Sequence, residues 1–361
     1  MRQTMAFNVQ KLFTDVFNPE PDENVLIIID TAKDIRQETR EWQLRHQMAL
    51  EWHREIKSLG KVIGFDVMPI VKYPATLKQN ADLPLNEGEP ITLNEALSRA
   101  TIVLALTEFS ASAPLITWSK SHSDFRCASM PMVKKEMEQT SLAADYKEVA
   151  KRCRELKNIL EGAQGIDLAF STGHSCYFDV RFRECLTEDG YLPRDKEGFR
   201  LINLPSGETF FATYEGEKGE PSLTSGELPI MKKGELVVFR VEENSIVEVR
   251  GDGPQAKEFK DFFALDTARR NIAECAFGTN PEAVVTGNVL EDEKAGFHWA
   301  YGRSDHIGGI TGVNSFTSPA NVVHFDWVYA KDSPIFVKEA TALLEDNERV
   351  TIIKNGDYLI F

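Results

Sequence analysis

The run Val322-Val323-His324-Phe325-Asp326-Trp327-Val328-Tyr329 sets an imidazole and a carboxylate two residues apart in an otherwise β-branched and aromatic stretch. Side chains on a strand alternate between faces, so His324 and Asp326 share one face while Val323, Phe325, Trp327 and Tyr329 cover the other. A His and a carboxylate side by side on a rigid strand make half of a metal site, although a solvated face opposite a core explains the same pattern. Gly296-Phe297-His298-Trp299-Ala300-Tyr301-Gly302 repeats the alternation, with His298 beside the small Ala300 and three aromatic rings pointing the other way. Glu274 stands among Ile272, Ala273, Cys275, Ala276 and Phe277, a costly setting for a carboxylate that is neither paired nor metal-bound. Glu208 follows a Pro205-Ser206-Gly207 turn at the mouth of an apolar strand.

Together these residues supply two imidazoles and three carboxylates with no cysteine, a hard N/O set that suits a pair of divalent ions. Two dications carry four positive charges, three carboxylates return three, and a bridging hydroxide completes neutrality. Such a hydroxide is the nucleophile of two-metal hydrolysis. Asp292 and Glu293, just upstream of His298, are candidates for proton transfer, although a solvated turn is the better account of them.

The elements that must hold these groups fall into two textures. The first part alternates strand and helix signals: Glu23–Asp30 as a strand, Lys33–Ser58 as a helix stopped by Gly60, Gly60–Ile70 as a second strand, Leu93–Ala100 as a short helix and Ala100–Leu106 as a third strand. This order implies a doubly wound parallel sheet. No G-x-G-x-x-G or Walker loop follows the first strand, so nucleotide binding there is not expected. Ser141–Gly162 reads as a helix capped by Ser141, with Leu142, Tyr146, Val149, Cys153, Leu156 and Leu160 as its apolar stripe. Beyond Gly165 the signals are β throughout, interrupted by one helix from Pro254 to Arg270 and closed by an Asn355-Gly356 hairpin turn. The expected organisation is an α/β N-terminal domain over residues 1–163 and an α+β C-terminal domain with a barrel-like β core over 164–361.

Composition narrows the setting. At 361 residues the chain is long enough for two or three domains. A surplus of 56 acidic over 41 basic residues, net charge −15, argues against a nucleic-acid or anionic-membrane partner. Five cysteines with no CxxC pair suggest reduced thiols, and neither a secretory leader nor a membrane span is legible, so a cytoplasmic location is expected.

Five motifs in order resemble the metallo-aminopeptidases of the aminopeptidase T and aminopeptidase S type. They are Leu204-Pro205-Ser206-Gly207-Glu208, Ala273-Glu274, the stretch from Asp292-Glu293-Lys294 to His298-Trp299-Ala300-Tyr301-Gly302, His324-Phe325-Asp326, and Lys354-Asn355-Gly356. The resemblance covers the C-terminal half well and the N-terminal half only as a general α/β pattern. It implies a homodimer and a two-metal site of zinc, cobalt or manganese. Glu208, Glu274, His298, His324 and Asp326 would be the ligands, and a small peptide or aminoacyl compound the substrate. Two positions depart from the pattern: Lys294 stands where the family has Asn, and Asp305 where it has the tyrosine that steadies the tetrahedral intermediate. Tyr301 or His306 is left to take that role. Strand alternation turns Tyr301 away from His298, which favours His306. A second branch of the same fold resembles mononuclear Fe(II) dioxygenases that open dihydroxypyridine rings. Those have His where Glu274 stands and lack a counterpart of Glu208, so keeping both carboxylates favours hydrolysis. A catalytically inactive binding protein is a third reading, opposed by the intact five-residue set.

Overall fold

The computed structural model describes residues 7–361, and the first six, part of the N-terminal stretch in which no leader is legible, lie outside the described residues. The chain divides into two compact units. The first holds residues up to Ala150 together with Glu188–Gly207 and Asn280–Ala283. Its sheet is parallel: Asn24–Thr31 is flanked on one side by Asp66–Val67 and Val71–Pro74 and on the other by Ile102–Ala105, Arg126–Ser129 and Leu201–Asn203, in that order. The six residues Val25–Asp30 are all buried, as in a strand covered on both faces. Leu26 and Ile28 pack with Leu93, Ala96 and Leu97 of the Leu93–Arg99 helix, whose start is a capping box between Thr92 and Glu95.

The long helix spans Arg40–Ile63, capped by Thr39, and ends at Gly64 rather than Gly60. Gly64 takes the left-handed conformation (φ +107°) that terminates a helix, whereas Gly60 stays helical. The expected strand from Gly60 is therefore helical in its first four residues, and only Asp66–Val67 and Val71–Pro74 are extended. The Arg126–Ser129 strand and the Ser112–Ser119 helix escaped sequence reading; four buried residues show no period.

The second unit comprises Lys151–Thr187, Glu208–Thr279 and Val284–Phe361. The chain thus changes unit within the Tyr146–Leu160 helix, not after it at 163, and Glu188–Gly207 goes back because Leu201–Asn203 completes the parallel sheet beside Arg126–Ser129. Ser141 lies upstream of that helix, in a 3-10 turn over Ser141–Ala143. Where one barrel-like core is expected, the antiparallel strands form two sheets. The smaller runs His324–Tyr329, Phe297–Gly302, Ile272–Gly278, Glu208–Ala212, Leu186–Glu188. The larger has eight strands, from Ser245–Arg250 at one edge to Asp357–Tyr358 at the other. Both face a single core in which Phe178, Leu228 and Phe239 of the larger sheet meet Phe211, Cys275, Phe277 and Trp299 of the smaller. Phe259 and Phe263 of the Pro254–Ala264 helix insert edge-on against Phe239. No helix among the described residues is long and apolar enough to cross a membrane.

His324–Tyr329 is an edge strand, and this changes what its aromatic face does. Phe325, expected to be core, is 49% exposed and stacks on Tyr301, while Trp299 one strand in is fully buried. Phe325→Ala is therefore expected to cost only about 1 kcal/mol, against about 3–5 kcal/mol for Trp299→Ala, in urea unfolding of the two variants.

Candidate metal centre

Strand register brings the candidate residues to one face. Ala212 lies opposite Glu274, Glu274 opposite Ala300, and Ala300 opposite Asp326, so these four form a row across the smaller sheet. Ala276, His298 and Val328 form the next row. Glu208 pairs with Gly278 at one end and His324 with Gly302 at the other. Ala212, Ala276, Ala300, Gly278 and Gly302 stand among the donors on this face, and these small residues leave space above the sheet for an ion. The opposite face carries Phe211, Cys275, Phe277, Phe297, Trp299 and Tyr301 into the core, which holds the strands rigid.

His324 Nε2 is 3.0 Å from Glu274 Oε2 and 3.5 Å from Asp326 Oδ1. His298 Nε2 is 3.4 Å from Glu208 Oε2 and 4.0 Å from Glu274 Oε1. One donor atom from each of Glu274, His298 and Asp326 lies within 4.8 Å of the other two. Ligands about 2.1 Å from a shared ion in tetrahedral array stand about 3.4 Å apart, so binding an ion draws this triad together by at most about 1.4 Å.

The second nitrogen of each imidazole faces a backbone carbonyl: His324 Nδ1 is 2.7 Å from Arg303 O, and His298 Nδ1 is 3.4 Å from Gly296 O. A carbonyl only accepts, so Nδ1 carries the proton and Nε2 is the nitrogen turned to the carboxylates. This is how metal-binding histidines are oriented. The donor set, its burial and the two carbonyl-fixed imidazoles fit a divalent ion.

Electrostatics point the same way. Burial opposes charge on His298, but the hydrogen bond and charge of Glu208, with Glu274 and Asp326 behind, raise it to about 9. Burial likewise opposes charge on His324, and Asp326 and Glu274 drive it well above the usual imidazole range. Asp326, despite burial, is held low by His324 and His298. With no ion bound, protons on the imidazoles therefore balance the carboxylates. An ion taking both Nε2 atoms must displace those protons, so its binding at pH 7 is expected to release about two protons per chain, and its affinity to rise with pH toward 9. Calorimetry in buffers of differing ionisation enthalpy measures that release.

Lys294 completes the site. Its side chain is wholly buried, with Nζ 2.6 Å from Glu208 Oε1 and 2.7 Å from Glu293 Oε1. Gly278 permits this, since a Cβ there would lie 2.4 Å from Glu293 O as the 293–296 backbone crosses the strand. Burial would raise Glu208, but the Lys294 charge and the His298 hydrogen bond bring it to about 2. Glu293 goes the other way, pushed up to about 8 by burial and by Glu208 and Asp326, against the pull of Lys294.

The remaining candidates divide. The His306 ring sits edge-on to His324 at 4.8 Å, on the exposed 3-10 turn Asp305–Ile307, and the neighbouring charges of His324 and Arg303 lower it. Tyr301 is away from the donors, packed against Phe262 and Phe263 in the core. Asp305 is engaged by Arg303, with Nε 2.5 Å from Oδ1. Asp292 accepts from the Thr286 and Gly287 amides at 2.7 and 2.9 Å and so ties the preceding turn. Sequence reasoning marks Lys294 only as a departure from a family pattern; its position beside Glu208 follows from the strand crossing.

No known family profile matches the chain, and no curated protein matches it in sequence. In fold it is similar to wild-type AmpT from Thermus thermophilus, with a TM-score of 0.61 and 15% identity over 98% of this chain and 98% of that one. It is also similar to 2,5-dihydroxypyridine dioxygenase from Pseudomonas putida, with a TM-score of 0.64 and 17% identity over 97% of this chain and 96% of that one. At such identities the likeness is one of fold.

Proposed function

We propose that the protein is a metal-dependent hydrolase of the aminopeptidase type, releasing N-terminal residues from small peptides or aminoacyl conjugates. The observation that carries this reading is the convergence of Glu274, His298, Asp326 and His324 on one sheet face, with both imidazoles fixed through Nδ1. The order of the C-terminal motifs and the fold shared with AmpT support it. A homodimer working in the cytoplasm on a soluble substrate belongs to the same proposal, with net charge −15 opposing nucleic acid as a partner.

A divalent ion held by Glu274, His298 and Asp326, with His324 beside them, supplies Lewis acidity and a water made acidic near neutral pH. The chain's own groups do the rest. Glu293, raised by burial and by Glu208 and Asp326 against the pull of Lys294, is the carboxyl of the site best placed to exchange a proton as a general acid–base. His306, lowered by the charges of His324 and Arg303, offers a ring N–H at the rim beside His324 to a developing oxyanion. Tyr301 takes no part, because its ring is in the core.

One observation favours a second reading, a mononuclear Fe(II) ring-opening dioxygenase. Lys294 already neutralises Glu208, which leaves two His and two carboxylates around a single position, close to the two-His-one-carboxylate arrangement of non-haem iron sites. The dioxygenase fold similarity accords with it. The two readings separate on the stripped, full-length protein reloaded with zinc, cobalt, manganese or iron(II). Amino-acid release from aminoacyl substrates is the expected result. Oxygen uptake with a dihydroxypyridine, confined to the iron form, transfers the assignment to the dioxygenase. Neither activity from metal-loaded protein removes both.

A further inference from the structure

We propose that the buried ammonium of Lys294 stands where a second metal ion would otherwise sit, so that the centre holds a single divalent ion. The inference rests on the metal-centre reading above and concerns how many ions that centre takes.

Glu208 is the donor that a second ion would need, since it lies at the Gly278 end of the sheet face, away from His324 and Asp326. Its Oε1 is already taken by Lys294 at 2.6 Å, a charge-assisted contact, and its Oε2 faces His298 Nε2 at 3.4 Å. The lysine cannot swing away to solvent, because its side chain is 0% exposed and Glu293 holds the same ammonium at 2.7 Å. Its backbone is tied to the strand, because the Gly278 N–H donates to Gly296 O at 2.8 Å and the 293–296 segment lies directly against Gly278. A dication bound at Glu208 would compete with the ammonium for one carboxylate and repel it at ion-pair range, around a lysine side chain that is wholly buried and so weakly screened. Glu208 on this account is a partner of Lys294 and His298, and the ion belongs to Glu274, His298, Asp326 and His324. The asparagine that the aminopeptidase pattern has in place of Lys294 carries no charge and imposes no such exclusion.

The test is a count of ions on the metal-free, full-length protein, titrated calorimetrically with Mn²⁺ and with Zn²⁺ and analysed for bound metal after gel filtration. One ion per chain is expected for the wild type and two for Lys294→Asn. Glu208→Gln is expected to keep one ion, with affinity lowered by no more than the about 10–100-fold that loss of an outer partner costs. That variant also decides the matter if Lys294→Asn does not fold, retention supporting the inference and loss of the ion overturning it. Two ions on the wild type, or still one on a folded Lys294→Asn, overturns the inference while leaving the metal centre standing. No ion on the wild type removes the metal centre itself, and the inference with it.

Discussion

Glu274→Gln is expected to abolish tight metal binding and, with it, turnover, while leaving the fold intact. Glu274 sits on the strand between those carrying Glu208 and His298, with its two oxygens 3.0 Å from His324 Nε2 and 4.0 Å from His298 Nε2. Outer partners of metal ligands alone are worth about 10–100-fold in affinity, so removing a charged ligand is expected to cost more than about 100-fold. Glutamine preserves shape and an oxygen acceptor, and the backbone around position 274 is held by pairing on both sides, to Ala212 and Ala300. Loss of binding can therefore be read as loss of a ligand, provided circular dichroism and the unfolding midpoint are unchanged. The same substitution removes a charge that raises His298 and His324, so both imidazoles are expected to titrate lower in the metal-free variant, a shift visible by NMR. Full metal content in Glu274→Gln would refute the centre described here.

A stability loss as large as that of Trp299→Ala is expected in the parallel unit, at Arg126→Met. Arg126 and Glu23 are both fully buried and joined by two parallel contacts, Nη1 to Oε1 at 2.5 Å and Nη2 to Oε2 at 3.0 Å, with Nη2 also donating to Phe17 O at 3.2 Å. Burial would raise the Glu23 carboxyl, but Arg126, with the Glu20 amide, holds it below its usual value. Removing the guanidinium leaves a carboxylate in the interior whose remaining ion-pair contact is Arg194 Nε, 3.4 Å away. Breaking a buried pair in this way costs about 3–5 kcal/mol. The sign with pH follows: a lowered carboxyl contributes stability above the unfolded value near 4.5 and loses it as pH falls toward the folded one. The deficit of Arg126→Met should therefore be full at pH 7 and shrink below about pH 4. Urea unfolding at the two pH values checks this, and the double variant Arg126→Met, Glu23→Leu should recover part of the loss, because no charge is then stranded.

Much of the site is legible in the sequence because period-two alternation is a local property of strands. It puts His324 with Asp326, and His298 with Ala300, on one side of their strands, and it turns Tyr301 to the other. The cost of a lone carboxylate among apolar neighbours likewise marks Glu274 from its sequence surroundings alone. The aromatic faces of the Ile272–Gly278 and Phe297–Gly302 strands can be read as core for the same reason, and the α/β opening from its alternating signals.

Tertiary structure decided what depends on partners distant in sequence. Register sets Glu208 against Gly278, 70 residues away, and Ala300 against Asp326, and no local pattern says which residues will be opposite. Edge position left Phe325 half exposed although its pattern is that of a core residue. Sheet membership drew Leu201–Asn203 into the parallel unit from the middle of a β-rich stretch. Lys294 shows the limit most clearly. As a letter in the chain it is a charged residue between two turns, and a solvated position is the ordinary place for it. It becomes a buried counter-ion to Glu208 only because Gly278 lets the 293–296 backbone cross the strand at close range, and that crossing exists only once the sheet has formed.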